Sequence, residues 1–584
     1  MRKRVKRLLP GENARMILIA AVIGLLAGGS SILMRSAVTL VREALFLTGH
    51  DLLGIGQGGL HLIFLPLLPA AGMVLLIPLS RLFPGEVNGY GFPNFLRRVN
   101  LEGGVIPLRT VFIRIVGTAL TIGSGGSAGV EGPIAQVGGT LGSQVGRLTR
   151  VSGERMKVYV AAGCAGGVAA MFNAPIAGIF FAAEIVLLGT YEVSSFAAMV
   201  ISSAMATVVS QWYFGSVPAF RLPDYHLLAP LVEIPLYSLM GVVIGMLAVL
   251  HLTIFYRVRD YCQALPLPPQ LKPVVGALVV GTIGIGFPQV MGDGYDFISS
   301  VLHGQGAMVT ICLLIVLKML ATAVTLGSGG TGGVFAPALF IGAMIGGSFG
   351  TLVHGLWPTL TASPGAYAAV GIGAFLAAST HAPLTAIFLL FEMTGNYLII
   401  VPIMVSSIIG VVMAAKLKPD SIDTEELSRQ GVDLHEGREV ALMKALKVGR
   451  VMSEEVDFIS EKATIDELLT IFGMARGGFY FPVIDERGRM TGIVSLQDAK
   501  TLLQDEKLRR GATVGEVCNR QVVFLTPDDT VLLAMRLFDR QGIEEIPVVE
   551  SGEERWVLGM LKRRDVVLAY NRELIRRGMA AGEG

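Results

Sequence analysis

The chain has 584 residues, 52% of them hydrophobic and 16% charged, with a formal net charge of +2. A charged fraction well under the ~25% of soluble domains, with a mean hydropathy of +0.63, excludes an ordinary soluble protein and fits a polytopic membrane protein. So small a net charge argues against a nucleic-acid partner, and the scattered Cys164, Cys262, Cys312 and Cys518 point to neither a disulfide framework nor a metal site.

Residues 1–14 form a basic N-terminus in which Arg2, Lys3, Arg4, Lys6 and Arg7 precede the first apolar run. The positive-inside rule puts that end in the cytoplasm. Apolar stretches then follow near 15–40, 61–80, 108–122, 158–188, 194–214, 229–257, 273–290, 308–326, 338–356, 366–392 and 397–416. A full crossing of about 30 Å takes ~20 residues. Several of these stretches are shorter or broken by glycine, as half-spanning helices are.

The region is duplicated, with repeats at roughly 60–215 and 270–416. GSGGSAGVEGP, Gly123 to Pro133, returns 204 residues later as GSGGTGGVFAP, Gly327 to Pro337. A second echo follows each copy, ending at Glu184 and at Glu392. Apolar halves broken by Gly and Pro at matching places mark a transport site built from interrupted helices. Non-helical backbone survives at bilayer depth only where protein buries it or a polar cavity borders it, so the two glycine runs are expected to face each other. A helix N-terminus offers unpaired N–H groups and partial positive charge, and glycine lets those groups approach an ion. Neither run contains a basic residue, which favours an anion that must also be released.

Composition changes near Lys416. Residues 436–448 read as a linker, and 449–505 and 512–573 as two copies of one soluble unit, each with a helix followed by an apolar strand pair. About 60 residues is small for an independent core, so the copies are expected to pack together.

The motifs GVEGP (Gly129–Pro133) and GVFAP (Gly333–Pro337), the NAP segment Asn173–Pro175 and the EMTGNY segment Glu392–Tyr397 occur in the order found in the CLC chloride channel and transporter family, which residues 15–435 resemble. The tail resembles a pair of cystathionine-β-synthase-type (CBS) domains. The resemblance implies an all-α polytopic membrane protein with inverted-topology repeats and broken or re-entrant helices, plus a cytoplasmic α/β CBS pair. It implies a homodimer in the inner membrane, with a pore in each subunit for chloride or a similar inorganic anion. Glu131 would be the gate. The anion would meet Tyr90, Gly91 and Phe92, Val130 and Gly132, and Gly333, Val334 and Phe335.

Three departures qualify the resemblance. The first motif reads GYGFP, with Tyr90 where the family usually has serine. The last-helix segment reads SIDT, Ser421 to Thr424, with Asp423 where the family usually has tyrosine; a carboxylate beside an anion would repel it. One reading has Tyr90 supply the hydroxyl that the last helix lacks. The third departure is Ile185, which stands where coupled exchangers carry an inward-facing proton glutamate. An aliphatic side chain relays no proton. In the tail, the adenosine-binding pattern places Ser495 and Asp498 in the first copy, and Lys562 and Asp565 in the second.

These features lead to an expectation of passive, Glu131-gated anion transport, with adenine nucleotide (ATP, ADP or AMP) as a regulator of the tail and no required cofactor. Proton/anion exchange by an atypical path, another anion such as bicarbonate, nitrate or fluoride, and a nucleotide-sensing membrane protein with a vestigial pore are the alternatives. No nucleophile–base or metal constellation suggests an enzyme.

Overall fold

The computed structural model describes residues 12–55, 59–87, 89–151, 153–189, 193–216, 220, 229–432, 434, 440, 443–444, 446–474, 480–498, 511–552 and 555–580. The basic residues before Glu12, much of the 436–448 linker, and 499–505 at the end of the first tail copy lie outside them. The chain divides into two compact units, Met1–Leu434 and His435–Gly584.

Among the described residues of the first unit, seven helices are long and apolar enough to cross a membrane, from Ala14–Leu52 to Tyr397–Leu417. Shorter apolar helices stand between them, among them Pro175–Val186 and Pro383–Thr394. The two halves run through the same series. Leu67–Leu82, Phe92–Leu101, Arg109–Gly123, Glu131–Leu148, Glu154–Phe172, Pro175–Phe181 and Val193–Phe214 correspond in order to Lys272–Gly286, Tyr295–Leu302, Met308–Gly327, Phe335–Leu356, Pro364–Thr380, Pro383–Thr394 and Ile400–Leu417.

The glycine runs make the same turn twice and then clasp each other. The Gly126 N–H returns to Thr121 O at 2.8 Å, and the Gly330 N–H to Thr325 O at 2.9 Å. Gly125 and Gly329 have φ of +108° and +118°, which side chains avoid and glycine tolerates. The Ser127 N–H donates to Thr325 Oγ1 at 3.1 Å, and the Thr331 N–H to Thr121 Oγ1 at 3.0 Å. Gly129 and Gly333 then exchange N–H to O bonds of 2.8 and 2.7 Å. Reciprocal contacts of this kind define a local two-fold axis relating the repeats, and their next helices start side by side.

A second reciprocal pair fixes the short helices. Glu392 accepts the N–H groups of Ile176 and Ala177 at 2.9 and 2.8 Å. Glu184 accepts those of Leu384 and Thr385 at 3.0 and 2.7 Å. Each carboxylate satisfies first-turn donors that would otherwise be orphaned in an apolar setting.

In the second unit, β1 (Ile459–Ser460), β2 (Tyr480–Ile484) and β3 (Met490–Ser495) form one sheet, and β4 (Glu545–Val549) and β5 (Val557–Lys562) another. The two copies exchange their opening segments. Val448 is buried in the second copy's core with Leu525, Val531 and Leu561, whereas Val514 is buried in the first copy's core with Ile459 and Val483. Ser453 pairs with Met560 on β5, and Asn519 with Ile493 on β3. Neither sheet completes its core alone, which is why units this small persist as a pair.

Candidate anion centre

Glu131 is the first residue of its helix and is completely buried. Its Oε1 accepts the Tyr295 hydroxyl at 3.1 Å. Its carboxylate also faces the Ala336 N–H, yet no bond of ordinary geometry closes on Oε2. A Cβ on Gly129 would lie 1.9 Å from Oε2, so a bare glycine is what lets the carboxylate fold back here. Val130 and Val334 precede their helices with no side-chain cap. First-turn N–H groups are therefore available to an acidic or anionic group, and the Glu131 carboxylate lies beside those of the opposite helix.

The other predicted residues gather around this point. Val334 and Phe335 are buried to 1% and 2% exposure. A Cβ at Gly132 would be 3.5 Å from Gly333 Cα and 3.8 Å from Tyr90 Cε2. Gly91 leads into the Phe92–Leu101 helix. The Phe181 ring bridges Phe92 and Phe335, at 6.0 and 5.5 Å between centroids. Three helix N-termini thus share one aromatic-walled centre.

Asp423 points inward. The Ile422 N–H donates to Ser379 O at 3.0 Å and the Tyr256 hydroxyl donates to Ile422 O at 2.9 Å, which fixes the turn. The Tyr90 hydroxyl donates to Asp423 Oδ1, so the hydroxyl expected to meet the anion has a protein acceptor instead. Asp423 Oδ2 is buried without a hydrogen-bond partner among the described residues. Asp423 lies beyond the last span, which ends at Leu417. Burial pushes its carboxyl up to about 7, against the lowering effect of the Tyr90 hydrogen bond. A cavity of about 240 Å³ borders Tyr90 and is lined also by Asn94, Arg259 and Glu426. Ile185 is buried in the turn Ala182–Val186.

Tyr295 was missed by sequence reasoning, although a signal for it exists. Its segment GDGYD, Gly292 to Asp296, echoes GYGFP, Gly89 to Pro93, at a spacing of 203 residues. Tyr295 is therefore the repeat counterpart of Phe92. The shared glycines were too few to draw notice beside the longer runs.

In the tail, Asp498 Oδ2 accepts the Ser495 N–H at 2.8 Å and the Ser495 hydroxyl at 2.6 Å, leaving Oδ1 outside that turn. In the second copy each of the three consecutive basic residues Lys562, Arg563 and Arg564 has an acidic neighbour. Lys562 lies 3.6 Å from Glu545, Arg563 2.8 Å from Asp539, and Arg564 3.5 Å from Asp565.

Inverted repeats with paired helix N-termini around a buried carboxylate define a membrane transport protein with an anion centre. Residues 71–415 match the voltage gated chloride channel family, and 448–505 and 514–572 match the CBS domain. The chain belongs to the CLC chloride channel and transporter family. It is 35% identical over 347 residues to a putative chloride channel protein ClcB-like of Ralstonia nicotianae, covering 59% of this chain and 80% of that one. It is 31% identical over 423 residues to the H(+)/Cl(-) exchange transporter ClcA of Vibrio campbellii, covering 71% and 89%. Among solved structures, a slow cyanobacterial Cl-/H+ antiporter matches with a TM-score of 0.65 at 27% identity, covering 71% of this chain and 98% of that one.

Proposed function

We propose that the chain carries chloride, or a monovalent anion of similar size, through a pore in each subunit of a homodimer, and that Glu131 is the gate. The observation that supports this most is the Glu131 carboxylate seated against the Ala336 N–H at the opposing helix N-terminus, with Gly129 making room for it. An ionised carboxylate fills the place that an anion would take. Protonated, it loses its attraction to the N–H groups and yields the place. Both termini are read as cytoplasmic, so that Asp423 guards the inner mouth and Glu131 the path beyond it.

The favoured mode is passive, because Ile185 offers no proton acceptor. Proton/anion exchange is the second reading. It is favoured by the buried carboxyl of Asp423, whose Oδ2 is unpartnered, and by the exchange activity in the name of the relative from Vibrio campbellii. Purified protein in liposomes separates the two. An imposed chloride gradient that drives uphill proton movement at a fixed ratio establishes exchange; chloride flux without it establishes conduction. No anion flux at all would refute both and leave a nucleotide-sensing membrane protein.

A further inference from the structure

The two repeats each bury one cation at the same place. Arg114 and Lys318 are 204 residues apart, the spacing of the glycine runs, and are 7% and 0% exposed. Their surroundings differ. Lys318 Nζ donates to Val290 O and Gly292 O, both at 2.9 Å, and sits 5.0 Å from the centre of the Phe340 ring. Arg114 has no hydrogen bond or ion pair among the described residues, and its Nε is buried without a partner. A fully buried guanidinium with no acceptor is costly unless something neutralises it.

Arg114 lines a cavity of about 190 Å³ together with Asn94, Arg97, Arg98, Gln136 and Glu86. Glu86, the one acidic residue lining it, is held by Arg109 through two bonds of 2.6 and 3.0 Å. Arg97 is 3.1 Å from Glu102. Arg98 has no ion pair among the described residues, and its charge repels that of Arg114. Gly91 permits the arrangement, since a Cβ there would lie 2.0 Å from Arg114 Nη2. Glu86 also acts on Arg114 through its charge, but its carboxylate is engaged by Arg109, so two guanidiniums face one cavity with no carboxylate bonded to either, which is what an anion site requires.

We propose that this cavity holds a resident monovalent inorganic anion between Arg98 and Arg114, beside the transport centre rather than on it. The bound charge relieves the repulsion between the two guanidiniums and takes up the donors that Arg114 directs at no protein atom. Gly91 and Asn94 border both this cavity and the one at Tyr90. An anion here therefore waits next to Tyr90, the partner of Asp423, in a cavity that Gln136 of the Glu131 helix also lines.

Bromide is the probe, located by its anomalous scattering in crystals of the full-length protein grown in bromide. The expected result is a peak in this cavity within hydrogen-bonding distance of Arg114. Arg114→Met should weaken it about tenfold to a hundredfold, the loss of one charge-assisted contact, and Arg114→Lys should keep it. If Arg114→Met does not fold, Arg98→Gln serves in its place with the same expectation. An empty cavity in the wild type while bromide occupies the Glu131 centre would overturn the proposal. So would a lipid phosphate found there instead, or a peak undiminished in the variants. A peak in the cavity with none at the Glu131 centre would count against the proposed transport centre and leave this site standing.

Discussion

The Tyr90 hydroxyl donates to Asp423 across 333 residues of sequence, joining the first pore motif to the turn after the last spanning helix. Each residue departs from the family pattern, and each makes sense of the other. A carboxyl group at the inner mouth would repel an arriving anion if ionised and unpaired. Burial raises its carboxyl to about 7, while the Tyr90 hydroxyl, by donating to it, opposes that rise and favours the ionised form.

The sign of its effect on flux follows. With its carboxyl pushed up to about 7 by burial, Asp423 is expected to carry its proton below that pH and to ionise above it, and on the proposed orientation it answers to the inner pH. Anion flux should therefore fall as the inner pH rises through that value. Asp423→Asn should keep flux high across the range, with the inner pH dependence removed. Oriented liposomes with the two pH values set separately make the measurement; a variant that still declines as the inner pH rises places the switch elsewhere.

Glu131 is expected to govern the opposite side. On the proposed gating its carboxylate takes a proton to leave the helix N-termini, so flux should rise as the outer pH falls, by up to about tenfold per unit while that step limits. Glu131→Gln is permanently neutral, so flux should persist and lose this dependence. Tyr295→Phe removes a hydrogen bond to the ionised carboxylate, worth about 1.5–3 kcal/mol, and should raise flux about tenfold or more at high outer pH.

How much of this centre could be read from the sequence depended on the length of each repeated string. The runs at Gly123 and Gly327 repeat enough residues to be seen at once, and they meet as expected through Gly129 and Gly333. GDGYD at Gly292 repeats too little of GYGFP to be noticed, so Tyr295 was hidden. The bond between Tyr90 and Asp423 lay further out of reach, because no periodicity relates residue types so far apart in the chain. In the tail the two copies were legible, but their exchange of opening segments was not: Val448 and Val514 look alike in sequence, and only packing shows that each is buried with the other copy.

Gly129→Ala tests the seat of the gate without touching its charge. The added Cβ would collide with Glu131 Oε2 and approach Ala336 Cβ to 3.0 Å. The carboxylate should be displaced from the centre, with flux at high pH rising toward that of Glu131→Gln. Wild-type flux and pH response in this variant would mean that the carboxylate gates from another position.

The reciprocal glutamates carry stability rather than selectivity. Glu184→Ala leaves the N–H groups of Leu384 and Thr385 and the Thr385 hydroxyl without their acceptor. Each orphaned group costs about 1–3 kcal/mol. The protein in detergent should unfold at a clearly lower temperature, and Glu392→Ala should do the same through Ile176 and Ala177. Equal thermal stability in both variants would show that the helix starts find other acceptors.

If the tail takes an adenine nucleotide, its two copies are expected to do so unequally. Asp498 is already oriented by Ser495 through Oδ2, leaving Oδ1 for a ribose hydroxyl. At the second place a phosphate would have to compete with Glu545 for Lys562 and with Asp539 for Arg563. The Arg563–Asp539 pair is exposed and worth only about 0–1 kcal/mol, whereas Glu545 is buried, so Lys562 is the harder of the two to recruit and the competition weakens binding without forbidding it. In full-length protein, Asp498→Ala should lower affinity for AMP about tenfold, the loss of a charge-assisted contact. Lys562→Met should leave AMP affinity within a few-fold and reduce only the preference for ATP. Calorimetry with AMP, ADP and ATP on both variants makes the comparison. An equal loss of AMP binding in the two would place the ribose at Asp565 rather than Asp498.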